Sequence, residues 1–262
     1  MSKIAVITGA SSGIGREFVR TLASHGQYDE VWAIARNAER LEALKNDTNI
    51  AVRPISIDLS APDAAQKYSE LLEQSKPQVA LLINCSGYGK FEATDKISLE
   101  QNLGMIDLNC RALTAIAYLT LPYMSRDSEM INIASVAAFQ PIPYINVYGA
   151  SKAYVLSFSR ALGRELAPHG IRVLAVCPFW TKTAFFDRAV NKDSDAVVKK
   201  YVAMYTPEFI VKKAWAALNK KNKDYVIPGF KAKMQVLAVK LLPHSIVMRV
   251  WMNQQKLKKV IF

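Results

Sequence analysis

The stretch Lys3-Ile4-Ala5-Val6-Ile7-Thr8-Gly9-Ala10-Ser11-Ser12-Gly13-Ile14-Gly15 decides how this chain folds. Lys3–Thr8 is an apolar run of strand length, and residues 14–25 carry helical spacing. The glycines between them make a turn that lets backbone approach an anion at the positive end of the helix. Their spacing, Gly-x-x-x-Gly-x-Gly, differs from the usual Gly-x-Gly-x-x-Gly of dinucleotide-binding turns. A plain strand-to-helix turn is the alternative reading of this segment alone.

Glu30–Ala35 and residues 50–57, 79–84, 130–134 and 172–177 are further short apolar runs. Amphipathic stretches at 61–74, 101–124 and 148–167 lie between them. Strands alternating with helices predict βαβ units, hence a parallel sheet with helices on both faces. The runs are apolar throughout, as strands buried on both sides should be. Gly9, Arg36, Asp58, Asn84, Ser135 and Pro178 mark their ends, where an open α/β sheet binds its ligand.

The 262 residues suit one large domain; 51% are hydrophobic and 21% charged, which excludes a disordered or low-complexity chain. Apolar stretches fall short of the ~18 residues of a membrane span; residues 234–248 are interrupted by Lys240 and Pro243. Gly9 follows the start closely, so no signal peptide is expected. Cys85, Cys110 and Cys177 sit in apolar segments and read as reduced core thiols, so a cytoplasmic location is expected. Nothing calls for a metal.

Charge is uneven. From residue 211 onward the chain has twelve lysines and arginines, Lys221, Lys258 and Lys259 among them, against Asp224 alone. The residues before it are nearly neutral. Such a tail suits an anionic partner or a solvated face. Within it Phe230, Met234, Leu237 and Leu241 share one helical face, with Lys231, Lys233 and Lys240 off that stripe. Pro243-His244-Ser245 then supplies a break and an N-cap before a second helix with Ile246, Val247, Val250 and Trp251. The pattern describes either a helix lying on an anionic bilayer or a lid packing its stripe over a pocket. The lid is the expectation adopted, and deletion of 257–262 is expected to leave folding intact.

Two further sites carry chemistry. The second strand ends in Ala35 without the acid that commonly binds a ribose 2′-hydroxyl; Arg36-Asn37 follows, and a guanidinium forks onto a 2′-phosphate. NADP is therefore expected over NAD, unless Arg36 is an ordinary surface arginine. Tyr148 is the one tyrosine among eleven with a lysine, Lys152, four residues on, which puts both on one helical face. A phenol of ordinary pKa near ~10 needs a neighbouring cation to work as an acid or base at neutral pH.

The glycine turn, Asn84-Cys85-Ser86-Gly87, Asn109, Ser135, the Tyr148/Lys152 pair and Pro178 through Thr183 occur in one order. This order resembles the short-chain dehydrogenase/reductase family over about residues 3–229, in particular its hydroxysteroid-dehydrogenase-like members. The resemblance implies a single doubly wound α/β fold, a Rossmann-type parallel sheet, here with a basic helical C-terminal extension. It divides the chain into a catalytic domain, 1–229, and an extension of that domain, 230–262. Tyr148 would exchange a proton with a carbonyl or alcohol oxygen, and Lys152 would lower its pKa and hold the nicotinamide ribose. Ser135 would bind the reacting oxygen, and Asn109 would anchor a water that relays protons to Lys152. Gly9, Ser11, Ser12, Gly13 and Ile14 would hold the phosphates, with Asp58 and Leu59 beside the adenine. Asn84, Ser86 and Gly87 would line the central cleft, and Thr181 and Thr183 would contact the nicotinamide amide and a phosphate.

Two departures from the family pattern stand out. Asn84-Cys85-Ser86-Gly87 replaces Asn-Asn-Ala-Gly, and Pro178-Phe179, followed by Trp180, replaces Pro-Gly. Together with Phe139, Pro141, Ile142, Pro143, Tyr144, Phe185 and Phe186, these rings form an apolar pocket wall, or else core or subunit contact. The expected activity is NADP(H)-dependent interconversion of a secondary alcohol and a ketone on a bulky lipophilic molecule such as a hydroxysteroid or bile acid. Competing readings are a reductase of long-chain acyl or lipid ketones at a membrane surface, and a non-catalytic NADP-binding module with a basic docking tail. The expected partners are a lipophilic small molecule, a second copy in a homodimer or homotetramer, and an anionic membrane touched through the tail, but not nucleic acid.

Overall fold

Strand β1 (Lys3–Thr8) buries five of its six residues. Its alternating side chains serve two cores: Ala5 and Ile7 point to one face of the sheet, Ile4 and Val6 to the other. The same alternation runs through β2 (Glu30–Ala35), with Val31 and Ala33 on the first face and Trp32 and Ile34 on the second. The computed structural model describes residues 2–189, 197–220 and 222–257. Lys221, Lys258, Lys259 and the rest of 258–262 lie outside the described residues.

The sheet also contains β3 (Ala51–Ser56), β4 (Gln78–Asn84), β5 (Glu129–Ile133), β6 (Arg172–Val176) and β7 (Tyr225–Val226). Its order is β3-β2-β1-β4-β5-β6-β7, and every pairing is parallel. The chain runs outward from β1 to β3, then returns to β4 on the other side of β1. That reversal opens a crevice beyond the carboxyl ends of β1 and β4.

The helices are α1 (Gly13–Thr21), α2 (Ala38–Glu42), α3 (Ala64–Ser75), α4 (Leu99–Ile106), α5 (Leu113–Thr120), α6 (Asn146–Leu166), α7 (Phe185–Ala189), α8 (Pro207–Leu218), α9 (Phe230–Leu241) and α10 (His244–Gln254). α1 and α8 cover one face, where Phe18 meets Trp215 edge-on with centroids 5.0 Å apart. α3, α5 and α6 cover the other through Tyr68, Ile116 and Leu162. The fold is thus the doubly wound α/β sheet that the sequence predicts.

Four details differ from the sequence reading. The single helix expected over 101–124 is two helices joined by a wider, π-type turn, Asp107–Ala112, that carries Asn109. Neither α8 nor the short β7 is marked as an element by the sequence pattern. In α9 the expected stripe points the other way: Ala232, Val236 and Val239 are buried, whereas Phe230, Met234, Leu237 and Leu241 are 76%, 48%, 50% and 75% exposed. Small residues let α9 sit close to Val136 and Ile227, so packing selects the face of least bulk. α10 starts at His244 with Pro243 before it and no side-chain cap, so Ser245 is not its N-cap. Its Val247 and Trp251 are buried, whereas Ile246 and Val250 remain exposed.

Candidate active site

The crevice is a cleft of about 530 Å³, lined along one end by the glycine turn and along the other by aromatic rings. Thr8 at the end of β1 ties the two strands that flank the reversal: its Oγ1 accepts from the backbone N–H groups of Cys85 and Ser86, at 3.0 and 3.1 Å. Gly9 has φ +66°, and a Cβ there would sit 2.9 Å from the Cys85 carbonyl carbon. Gly13, at φ +54°, lies under Thr183, whose Cγ2 would be 2.9 Å from an added Cβ. Ser12 precedes α1 without capping it by its side chain, and Ser11, Ser12 and Ile14 all line the cleft. A turn so bare of side chains, at the start of a helix, fits a pyrophosphate.

Arg36 follows β2 and reaches Asp58 at 3.8 Å. Burial opposes ionisation of Asp58, but bonds from the Ser60 N–H and hydroxyl, with Arg36 and Arg188 nearby, hold its carboxyl below the usual range. Arg36, Asp58 and Leu59 all line this end of the cleft. Arg188 of α7 lines it too, its guanidinium 4.8 Å from the centre of the Tyr88 ring. Burial, and then the repulsion of Arg36, lower its pKa. The sequence reading missed Arg188, because nothing local ties residue 188 to residue 36.

At the centre, Ser86 and Gly87 line the cleft, but Asn84 does not. Its Nδ2 donates to Asn132 Oδ1 at 2.9 Å, and Asn132 donates to Ser159 at 2.9 Å, a buried chain beneath the strand ends. Asn84 therefore braces β4 against β5 instead of facing a ligand. Asn109 is likewise behind the wall and fully buried. Its amide grips Tyr88 on both sides, accepting from its N–H at 3.0 Å and donating to its carbonyl at 2.9 Å, and donates to Ser151 at 3.0 Å. Ser151 in turn donates to the Tyr148 carbonyl at 2.7 Å. In this arrangement Asn109 positions the segment after β4 that carries Tyr88 and the helix that carries Tyr148.

Tyr148, Lys152 and Ser135 do converge. Tyr148 and Lys152 sit one turn apart on α6 and line the cleft with Ser135, which starts the turn after β5. Ser135 Oγ accepts from Ala137 N–H at 3.1 Å and hydrogen-bonds the Tyr148 phenol. Burial pushes that phenol up to about 12, with the Ser135 bond opposing. Burial also pulls the Lys152 ammonium down to about 8, and Cys85 and Cys177 beside it are pushed up to about 12 and stay neutral. The expected depression of the Tyr148 pKa by Lys152 is thus reversed, because the ammonium is aimed at the Ile133 carbonyl, 2.8 Å away, and desolvation dominates.

The far end of the cleft is apolar. Phe91 meets Tyr148 edge-on at 5.8 Å and Phe185 lies tilted against it at 5.6 Å, while Trp180 packs edge-on against Phe91 at 5.8 Å. Ile142, Phe179, Trp180, Phe185 and Phe186 line it as expected, while Phe139, Pro141, Pro143 and Tyr144 do not. Phe139 packs against Tyr225 instead, at the edge of the sheet. Gln235 of α9, Trp251 and Gln254 of α10, and Gln255 just after it also reach the cleft. Gln255 clasps the segment opposite: its Oε1 accepts from Lys199 and Lys200 N–H at 2.8 and 2.9 Å, and its Nε2 donates to the Lys200 carbonyl at 3.1 Å. Thr181 and Thr183 line the cleft where that wall meets the glycine turn. Among the described residues no three His, Cys, Asp or Glu side chains gather as a metal site.

A phosphate-shaped glycine turn at one end and a Ser135–Tyr148–Lys152 group at the other are the layout of a nicotinamide-dependent oxidoreductase. The family model described as short chain dehydrogenase matches residues 3–194. The chain belongs to that family. Among its relatives is a probable short-chain type dehydrogenase/reductase, VdlC, of Helicobacter pylori, 29% identical over 92% of this chain and 94% of that protein. A short-chain dehydrogenase from Sphingobium yanoikuyae, solved with NADPH, is 27% identical, with a TM-score of 0.75 over 99% of this chain and 98% of the other. The fold is shared with a 7β-hydroxysteroid dehydrogenase, at 23% identity and a TM-score of 0.79 over 95% and 96% of the two chains. As a short-chain dehydrogenase the chain is an NAD(P)-dependent oxidoreductase.

Proposed function

We propose that this short-chain dehydrogenase uses NADP(H) to interconvert a secondary alcohol and a ketone on a bulky lipophilic substrate, of which hydroxysteroids and bile acids are the preferred class. The observation that carries the reading is the continuity of one cleft from the Arg36/Arg188 end, past Tyr148, to a wall of Phe91, Trp180, Phe185 and Trp251. Arg36 directly after β2, where no acid stands, and Arg188 of α7 at the same end of the cleft favour a 2′-phosphate. Gly9 to Ile14 would hold the diphosphate, Asp58 and Leu59 the adenine, and Ser86, Gly87, Thr181 and Thr183 the nicotinamide half. When bound, the nicotinamide supplies or accepts the hydride. Ser135 holds the reacting oxygen, and Tyr148 gives it the phenolic proton in reduction and takes the proton back in oxidation. Lys152 would hold the nicotinamide ribose and keep its charge 5.8 Å from the Tyr148 ring, while Asn109 holds the backbone that frames them.

The catalytic domain is assigned to 1–229 with 230–262 as its extension, working in the cytoplasm on lipid metabolites. Outward-facing Leu99, Leu103 and Ile106 on α4, Tyr118 on α5 and Tyr154 on α6 support association of copies into a homodimer or homotetramer. The non-catalytic alternative leaves the Ser135–Tyr148–Lys152 group without a use. The test is consumption of NADPH and NADH by purified protein against steroid, long-chain acyl and sugar ketones. Fastest NADPH-linked turnover of steroid ketones supports the assignment; preference for acyl ketones moves the substrate class, and no turnover of any ketone overturns it.

A further inference from the structure

α9 presents an outward ridge. Phe230 and Leu241 keep about three quarters of their surface exposed, and Met234 and Leu237 about half. Leu242, Ile246 and Val250, exposed by 43%, 42% and 56%, continue the run of uncovered apolar side chains into α10. Isolated exposed apolar residues need no explanation, but a run of seven along two consecutive helices and the turn between them marks an interaction surface. At about 3.6 residues per turn, Lys231 falls on one flank of the α9 ridge and Lys233 on the other. Both are exposed, as are Arg249 and Lys256. Lys240 is different: it folds back onto Tyr225 and Phe139. The sequence has no Asp or Glu after Asp224.

We infer that the outward faces of α9 and α10 dock this protein on an anionic bilayer surface, with Phe230, Met234, Leu237 and Leu241 entering the acyl boundary and Lys231 and Lys233 meeting anionic headgroups. Charge decides between the occupants. A symmetric contact with a second copy sets the same patch against itself, lysine against lysine with no acid to pair them. A negatively charged leaflet supplies the missing counter-charge along both flanks and accepts the ridge between them. The inner side of the same helices faces the cleft through Gln235, Trp251 and Gln254, so docking holds the aromatic end of the cleft close to lipid. This inference stands on the surface and does not depend on which substrate is turned over.

Co-sedimentation with vesicles tests it, using the full chain and phosphatidylcholine alone or mixed with phosphatidylglycerol, at low and high salt. The parent is expected to pellet with the mixed vesicles at low salt and to be released by salt. The pair Lys231→Glu and Lys233→Glu should weaken that binding at least about tenfold. The pair Phe230→Ser and Leu241→Ser should abolish it, with circular dichroism and NADPH binding unchanged because both side chains are exposed. Equal binding to neutral vesicles, or none to either, overturns the inference. So does a dimer, measured by light scattering, that the Phe230/Leu241 pair dissolves while vesicles bind nothing; the surface then belongs to a second copy.

Discussion

The Lys152 ammonium lies 5.8 Å from the centre of the Tyr148 ring, yet its hydrogen bond goes to the Ile133 carbonyl at 2.8 Å. Burial governs both groups, holding the phenol protonated far above neutral pH and bringing the lysine to about 8. Tyr148 is thus set as an acid, and Lys152 is the member of the pair that titrates near working pH.

A pH profile follows from that order. Lys152 carries its proton below about pH 8 and loses it above, so kcat/KM for ketone reduction should fall as pH rises through that value. Lys152→Arg, charged throughout, should lack the falling limb at a lower overall rate. A parent profile that is flat to pH 10 contradicts the assignment.

Stability has its own signature at this lysine. Between about 8 and the unfolded value near ~10.4, the unfolded chain binds a proton that the folded chain does not. This group therefore adds stability as pH rises through that window and withdraws it below. Lys152→Met should flatten the part of a denaturation-midpoint profile that rises between pH 8 and 10; an identical profile would argue against a buried, depressed lysine.

Tyr148→Phe removes one hydroxyl and leaves the ring packed against Phe91 and Phe185. Turnover should fall by about 10²–10⁴-fold. NADPH affinity, read by fluorescence titration, should change little. Turnover within a few-fold of the parent would remove Tyr148 from the chemistry.

Arg36→Asp should weaken NADPH far more than NADH, by a few kcal/mol, through a lost charge-assisted bond and added repulsion. Arg188→Ala should shift the same ratio in the same direction by a smaller amount, since its guanidinium also rests on Tyr88. Calorimetry with both dinucleotides checks this. An unchanged ratio in both variants leaves the two arginines as surface residues.

Trp251 is 8% exposed and donates from Nε1 to the Pro143 carbonyl at 3.1 Å, fastening α10 over the cleft. Trp251→Ala should cost about 3 kcal/mol in thermal or denaturant unfolding. It should also raise KM for bulky ketones more than for small ones. Equal KM changes for both sizes would show that Trp251 does not shape the substrate end.

The local pattern carried much of this protein. Lys3–Thr8 and Glu30–Ala35 are strands with the bounds that their apolar runs mark, because the stretches buried on both faces, residues 4–7 and 31–35, must be apolar at every position. The pair Tyr148 and Lys152 was readable for a similar reason: four residues on a helix make neighbours wherever the helix sits. Gly9 and Gly13 announce a turn that no side chain fits, which is a property of the backbone there.

Packing between distant segments decided the rest. Helical spacing groups Phe230, Met234, Leu237 and Leu241 but cannot say whether the group faces in or out; the narrow space beside Val136 and Ile227 admitted Ala232 and Val236 instead. Asn84 and Asn109 carry polar amides that suit a ligand as well as a frame, and only the positions of Asn132, Tyr88 and Ser151 made them frame. Arg188 joins Arg36, and Gln255 joins Lys199 and Lys200, across separations that no local periodicity spans. The sign of the Tyr148 shift belongs to the same class, because desolvation depends on what the whole fold places around a group, and spacing along one helix does not record that.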